Sequence, residues 1–155
     1  MTLAQRLQIG MTDAMRERDD VRRDALRMAV AAMQRAEKDA RRPLSPDEEV
    51  GVLTREIRTR RESVQAFAAG GRPDLAEEEQ RKLDALAPYM PAQLDDAELD
   101  ALVAQAVDES GATTARDTGR VMKILAPRVR GRADGKQVHV LVTRELERRA
   151  RSGAG

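Results

Sequence analysis

The sequence predicts an all-α protein, with a four-helix N-terminal domain followed by a three-helix tail domain. Three observations carry this. Apolar residues make up 41% of the chain but aromatics only 1%, Phe67 and Tyr89 being the two. The core must then be built from Leu, Val, Ile, Met and Ala, the vocabulary of helix bundles. The apolar residues recur at threes, fours and sevens rather than alternating. Several of these periodic segments open on a capping signature. The 35% of charged residues suits solvated helix faces.

Thr2 and Gln5 form the first capping box, and Leu3, Leu7, Met11, Ala14 and Met15 follow at helical spacing to about Arg18. Asp19-Asp20 caps a second helix. Its buried stripe reads Val21, Ala25, Met28, Ala29, Ala32, Met33 and Ala36, broadened by Leu26 and Val30. Arg41-Arg42-Pro43 ends it, because proline disfavours helix in the residue before it. Ser45-Pro46-Asp47-Glu48 is the clearest start signal, with a cap, a first-position proline and a completed box. Val50, Leu53, Ile57, Val64 and Phe67 follow, and Gly70-Gly71 stops this helix. Pro73-Asp74 opens a fourth, with Leu75, Leu83 and Leu86 inward and the three glutamates 77–79 outward, ending near Pro88.

The stretch PYMPAQL, 88–94, holds two prolines and reads as irregular, so it marks the domain boundary, 1–91 against 92–155. Asp95 and Glu98 then box a helix carrying Leu99, Leu102, Val103, Ala106 and Val107, closed by Gly111. Thr114 or Asp117 starts the next, with Val121, Met122, Leu125 and Val129 on its apolar side. Pro127 should bend or loosen its final turn. Asp134 and Gln137 box the last helix, with Val138, Leu141, Val142 and Leu146 inward and RSGAG as a frayed end.

At 155 residues the chain accommodates one domain or two small ones. There is no cysteine, which removes disulfides, thiolate chemistry and sulfur-ligated zinc. No apolar run approaches the ~20 residues that cross a bilayer, and MTLAQRLQIG has no signal-peptide core. A cytoplasmic protein is the expectation. Net charge is only +1, but it is unevenly spread: +3 over residues 1–72, −9 over 73–111 and +7 over 112–155. An acidic middle precedes a basic tail. Of the 28 cations 24 are arginine.

The basic tail is most concentrated at RVRGRADGK, 128–136. One reading is purely structural: Gly131 supplies a left-handed residue after a helix, and Asp134 caps the next. A nucleotide-binding P-loop is excluded, since only three residues separate Gly131 from Gly135, Gln137 replaces the hydroxyl, and no strand precedes. A catalytic loop would need a nucleophile or an acid–base pair. The lone His139, among Val138, Val140 and Leu141, has no visible partner, and Ser45 and Ser63 lack an elbow motif. The glutamates of AEEEQ have no metal-ligand spacing and read as a solvated face. The remaining reading is phosphate binding. Arg128, Arg130, Arg132 and Lys136, with Lys123 and Arg120 one and two turns earlier, form a basic patch. The start of the last helix at Gly135 and Lys136 offers free amides and a positive dipole end. Gly131 and Gly135 permit close approach of a phosphate backbone. With no aromatic nearby for base stacking, such a patch recognises backbone and shape.

GRVMKILAPRVRGRADGKQVHVLV resembles the C-terminal signature of the YqeY-like family. LRMAVAAMQRAE, LTREIRTRRESVQAFAAGGRPDLAEEEQRKLDAL and YMPAQLDDAEL resemble its N-terminal part and linker. The likeness runs in one order from about Leu3 to Glu147. The last sixty or so residues are also similar to the tail domain of the B subunit of the tRNA-dependent amidotransferase. The resemblance implies an all-helical protein with a three-helix tail that helps hold tRNA. It also implies that the amidotransferase's chemistry, housed in other domains, is missing. What it carries onto this sequence is the loop: Gly131, Arg132, Ala133 and Gly135, with Arg128, Arg130 and Lys136. It carries no catalytic residue.

Two functions from different classes follow. The first is a small non-catalytic protein that binds tRNA or structured RNA through the basic tail, without cofactor or metal. The second is an adaptor that docks on a protein, such as the amidotransferase or a tRNA synthetase, through REIRTRRES or the acidic fourth helix. A third, glutamine-dependent carbon–nitrogen ligation, has no catalytic constellation behind it.

Overall fold

The structure is a computed structural model and describes residues 1–153. Those residues form seven α-helices and two single-turn 3₁₀ segments, with no strand among them. The helices are α1 (Leu3–Arg16), α2 (Asp20–Ala40), α3 (Pro46–Ala69), α4 (Pro73–Leu86), α5 (Asp96–Ser110), α6 (Thr118–Val129) and α7 (Gly135–Gly153). The chain divides into two compact units, Met1–Pro91 and a second that begins at Ala92.

In the first unit, local chemistry sets the helix starts. Thr2 accepts from the Gln5 amide while Gln5 returns a bond to the Thr2 amide, and Ser45 and Glu48 do the same for α3. Arg42 makes two further bonds to Glu48, at 2.7 and 2.8 Å. With the Ser45 amide, that guanidinium holds the Glu48 carboxyl down at about 2. Helix α1 packs on α2, α3 on α4, and α2 on both α3 and α4. The core between them is built on Leu7, Leu26, Met33, Leu53 and Leu86.

Several expectations need correction here. Met28, expected in the buried stripe of α2, is 40% exposed, and Met15, at helical spacing with the apolar residues of α1, is 54% exposed. The α1 stripe runs through Leu3, Leu7, Gly10 and Ala14, and the α2 stripe through Ala25, Leu26, Ala29 and Met33. At 100° per residue, Met15 and Met28 fall beyond the edges of those stripes. Glu79, expected outward with its neighbours, is buried against Arg60 and Lys82. The PYMPAQL segment is not wholly irregular, since Ala87–Tyr89 forms a 3₁₀ turn. Pro88 suits an early position in such a turn, where no N–H is needed.

That turn presses Tyr89 against α1 at Gly10. A Cβ on Gly10 would lie 1.9 Å from the Tyr89 hydroxyl and 3.3 Å from a Leu26 methyl. The Arg6 guanidinium also lies over the Tyr89 ring, 5.5 Å from the ring centre. Gly10→Ala gains about 1 kcal/mol of helix propensity. It also incurs an overpacking cost of about 1–3 kcal/mol. We expect a net loss of stability in thermal melting. In a Tyr89→Ala background the clash is absent, and the same substitution should become stabilising. Equal effects in both backgrounds would rule out this contact as the reason for the glycine.

In the second unit α5, α6 and α7 enclose a core of aliphatic side chains, among them Val107, Val121, Leu125, Val138, Val142 and Leu146. Asp95 and Glu98 form the expected box on α5. Thr114 and Asp117 both contribute to the start of α6. Residues Ala115–Asp117 form a 3₁₀ turn, and the Asp117 carboxylate accepts from the Thr113 and Thr114 amides, which lowers its pKa. Pro127 stays inside α6. It leaves the Lys123 carbonyl without its usual helical donor.

Helix α7 continues through Arg151 to Gly153, so the first residues of RSGAG are helical rather than frayed; Ala154 and Gly155 lie outside the described residues. The anchor is Arg149. It pairs with Glu145 one turn back, with Asp108 at the end of α5, and with the Ala104 carbonyl. Arg148 and Arg149 together hold the Glu145 carboxyl down at about 2.

Candidate nucleic-acid interface

Helix α6 buries Val121, Leu125 and Val129 and turns its other side to solvent. Arg120, Lys123, Pro127 and Arg130 are exposed and recur at threes and fours, so they share one side of the helix and its exit. No carboxylate occurs from Thr118 through Ala133. Arg116, exposed in the preceding 3₁₀ turn, extends the positive charge upstream. The sequence reading passed over it, although its i,i+4 spacing to Arg120 was visible.

The turn after α6 is built as expected. Arg130 leaves the helix at φ −57, ψ 123, and Gly131 takes φ +72, a conformation that favours glycine. The amides of Arg132 and Ala133 then donate back to the Val129 carbonyl, at 2.8 and 3.1 Å. The turn is also stitched to the segment before α5. Leu94 N–H donates to the Arg132 carbonyl at 2.9 Å, and the Gln93 amide donates to the Gly131 carbonyl at 2.7 Å. Arg132 Nε donates to the Ala92 carbonyl at 3.1 Å. The loop is therefore a constrained turn, and its exposed cations project from a fixed frame.

The predicted site residues fall into two groups. Arg120 pairs with Asp117 at 3.4 Å and Arg128 with Glu109 at 2.6 Å, while Arg132 is tied to Ala92. Lys123, Arg130 and Lys136 are exposed, and their side chains have no ion partner among the described residues. Gly135 opens α7 on the exposed side, with no atom within 4 Å of where a Cβ would stand. The expectation of free amides at Gly135 and Lys136 is corrected in part. The Asp134 carboxylate accepts from the Lys136 N–H at 3.0 Å and adds negative charge where an anion would sit. His139 lies exposed on α7.

Part of the charge asymmetry is used inside this unit, since Asp108 and Glu109 at the end of α5 engage Arg149 and Arg128. Among the described residues no cluster of three or more His, Asp or Glu side chains is placed to hold a metal. Among the described residues no helix is long and apolar enough to cross a membrane.

The molecule is thus an all-helical protein whose second unit presents an acid-free basic helix and a glycine turn held against its own linker. Compared with known protein families, the chain matches the family described as Yqey-like protein over residues 4–146 and belongs to it. No curated protein matches the chain.

Proposed function

We propose that this protein binds tRNA or another structured RNA through the α6–α7 region, in the cytoplasm and without catalysis of its own. The observation that carries this reading is the carboxylate-free run Thr118–Ala133, which exposes Lys123 and Arg130, without an ion partner among the described residues, beside the Gly131 turn. Neutralising phosphates with such cations releases counterions and drives association. Both aromatics of the chain, Phe67 and Tyr89, lie in the first unit. The second unit therefore has no stacking platform and would read backbone and shape. The resemblance of the last sixty or so residues to the amidotransferase tail supports the same class of ligand.

The test is fluorescence anisotropy of labelled bulk tRNA against the full chain over a range of salt. Lys123→Gln with Arg130→Gln should weaken binding and reduce the logarithmic salt slope by about two. Arg132 is a poor choice for this purpose, because its replacement also releases Ala92. Unchanged affinity in the double variant would remove α6 from the interface. No binding by the unmodified chain at low salt would overturn the RNA reading and favour a protein partner.

A further inference from the structure

We propose that Arg132 couples occupancy of the α6–α7 turn by an RNA phosphate to the order of segment 92–94, the first residues of the second unit; this rests on the RNA reading above. The segment lies outside every helix, and Ala92 and Gln93 are exposed. Its seat is the turn itself. The Gln93 side-chain amide donates to the Gly131 carbonyl, the Leu94 N–H to the Arg132 carbonyl, and Arg132 Nε to the Ala92 carbonyl. Arg132 thus holds the segment twice, once through its backbone and once through its side chain.

The bonding of this guanidinium sets it apart from a solvated one. Every other arginine that makes a side-chain hydrogen bond among the described residues donates to at least one carboxylate. Arg132 donates to a neutral carbonyl and has no ion pair among the described residues, so it is held in place with its charge unanswered. It is also half-buried, whereas Lys123, Arg130 and Lys136 are exposed. A guanidinium is a rigid planar fork, so fixing one edge fixes the others. Its two terminal nitrogens make no hydrogen bond among the described residues. They can give a phosphate two N–H bonds while Nε keeps the Ala92 carbonyl. The side chain loses its rotamer freedom once, and both contacts share that cost. Each contact therefore favours the other, by the same factor in both directions. Arg120 and Arg128 offer no such route, because a phosphate there must first displace Asp117 or Glu109.

The experiment is amide exchange at Leu94 in the full chain, followed by NMR with and without saturating bulk tRNA, because that N–H is held by the Arg132 carbonyl. Bound tRNA should slow the exchange by about fivefold or more, the lower end of typical coupling between sites. Gln93→Ala removes one tie to the turn without touching a charge. Exchange in that variant should be faster with and without tRNA, and the tRNA-dependent factor should persist. Arg132→Lys keeps the charge but loses the fork, so the factor should vanish at saturating tRNA, whatever the affinity of the variant. Circular dichroism should show unchanged helix content in both. An unaltered Leu94 rate in the starting chain with tRNA bound would overturn this inference alone. A factor that survives Arg132→Lys would mean that RNA merely covers the segment, and would overturn it equally. Absence of tRNA binding by the starting chain would overturn both readings.

Discussion

Replacing Glu79 with alanine should destabilise the first unit by about 3 kcal/mol or more, a shift of roughly 12 °C or more in its melting transition. Glu79 on α4 receives Arg60 of α3 at 2.9 Å on one oxygen and Lys82 at 3.2 Å on the other. The Arg60 and Glu79 side chains are each only 11% exposed, so little solvent screens the pair. Burial pushes the Glu79 carboxyl upward, but the two cations outweigh it, and the net shift is downward. The Arg60 Nε is already buried without a partner. Deleting the carboxylate would leave two cations facing each other in a poorly hydrated seam. Arg60→Met combined with Glu79→Leu should recover most of the loss, because paired removal avoids an uncompensated buried charge. Calorimetric melting of the three variants checks both results. A single variant within about 0.5 kcal/mol of the parent would fall in the range of ordinary surface substitutions and refute the buried triad.

Glu49→Ala is the second large effect, with an expected cost of about 2–4 kcal/mol. Glu49 is 5% exposed and reaches from α3 to the start of α1, 46 residues earlier. It accepts from the Leu3 amide at 3.0 Å and the Ala4 amide at 3.3 Å. These are among the donors that a helix cannot satisfy within itself. The Thr2–Gln5 box covers others, so the start of α1 is capped both by its own sequence and by a distant carboxylate. Glu49→Gln keeps an acceptor and should cost about half as much or less. Amide exchange at Leu3 and Ala4 should accelerate in the alanine variant. Protection equal to the parent's would mean that these donors are satisfied in another way.

The two carboxylates also mark where the sequence stopped being legible. Helix starts could be read because their chemistry is local: Ser45 with Glu48 and Asp95 with Glu98 meet three residues apart. The buried roles of Glu49 and Glu79 depend on partners in other helices, and on a helical wheel both look like ordinary surface glutamates. Gly10 likewise shows no signal of its own, since the atom that requires it belongs to Tyr89. In the candidate interface, the Gly131 turn was legible because a positive φ is a property of one residue. The neutralisation of Arg128 by Glu109 and the tether from Arg132 to Ala92 were not, because they join segments 19 and 40 residues apart. What distinguishes Lys123 and Arg130 from their neighbours is the absence of such a contact among the described residues, which only the packed helices reveal.

The placement of Tyr89 has an optical consequence. It is the one tyrosine of the sequence, which contains no tryptophan, and it sits at the end of the first unit in contact with Arg6 and against Gly10. Near-ultraviolet absorbance and intrinsic emission therefore come almost entirely from a single phenol. Loss of the first unit's packing changes that phenol's surroundings, whereas the second unit, with no aromatic side chain, has no signal of its own at these wavelengths. Far-ultraviolet dichroism registers the helices of both. Two spectroscopic channels on an unlabelled sample can therefore follow the melting of the two units separately.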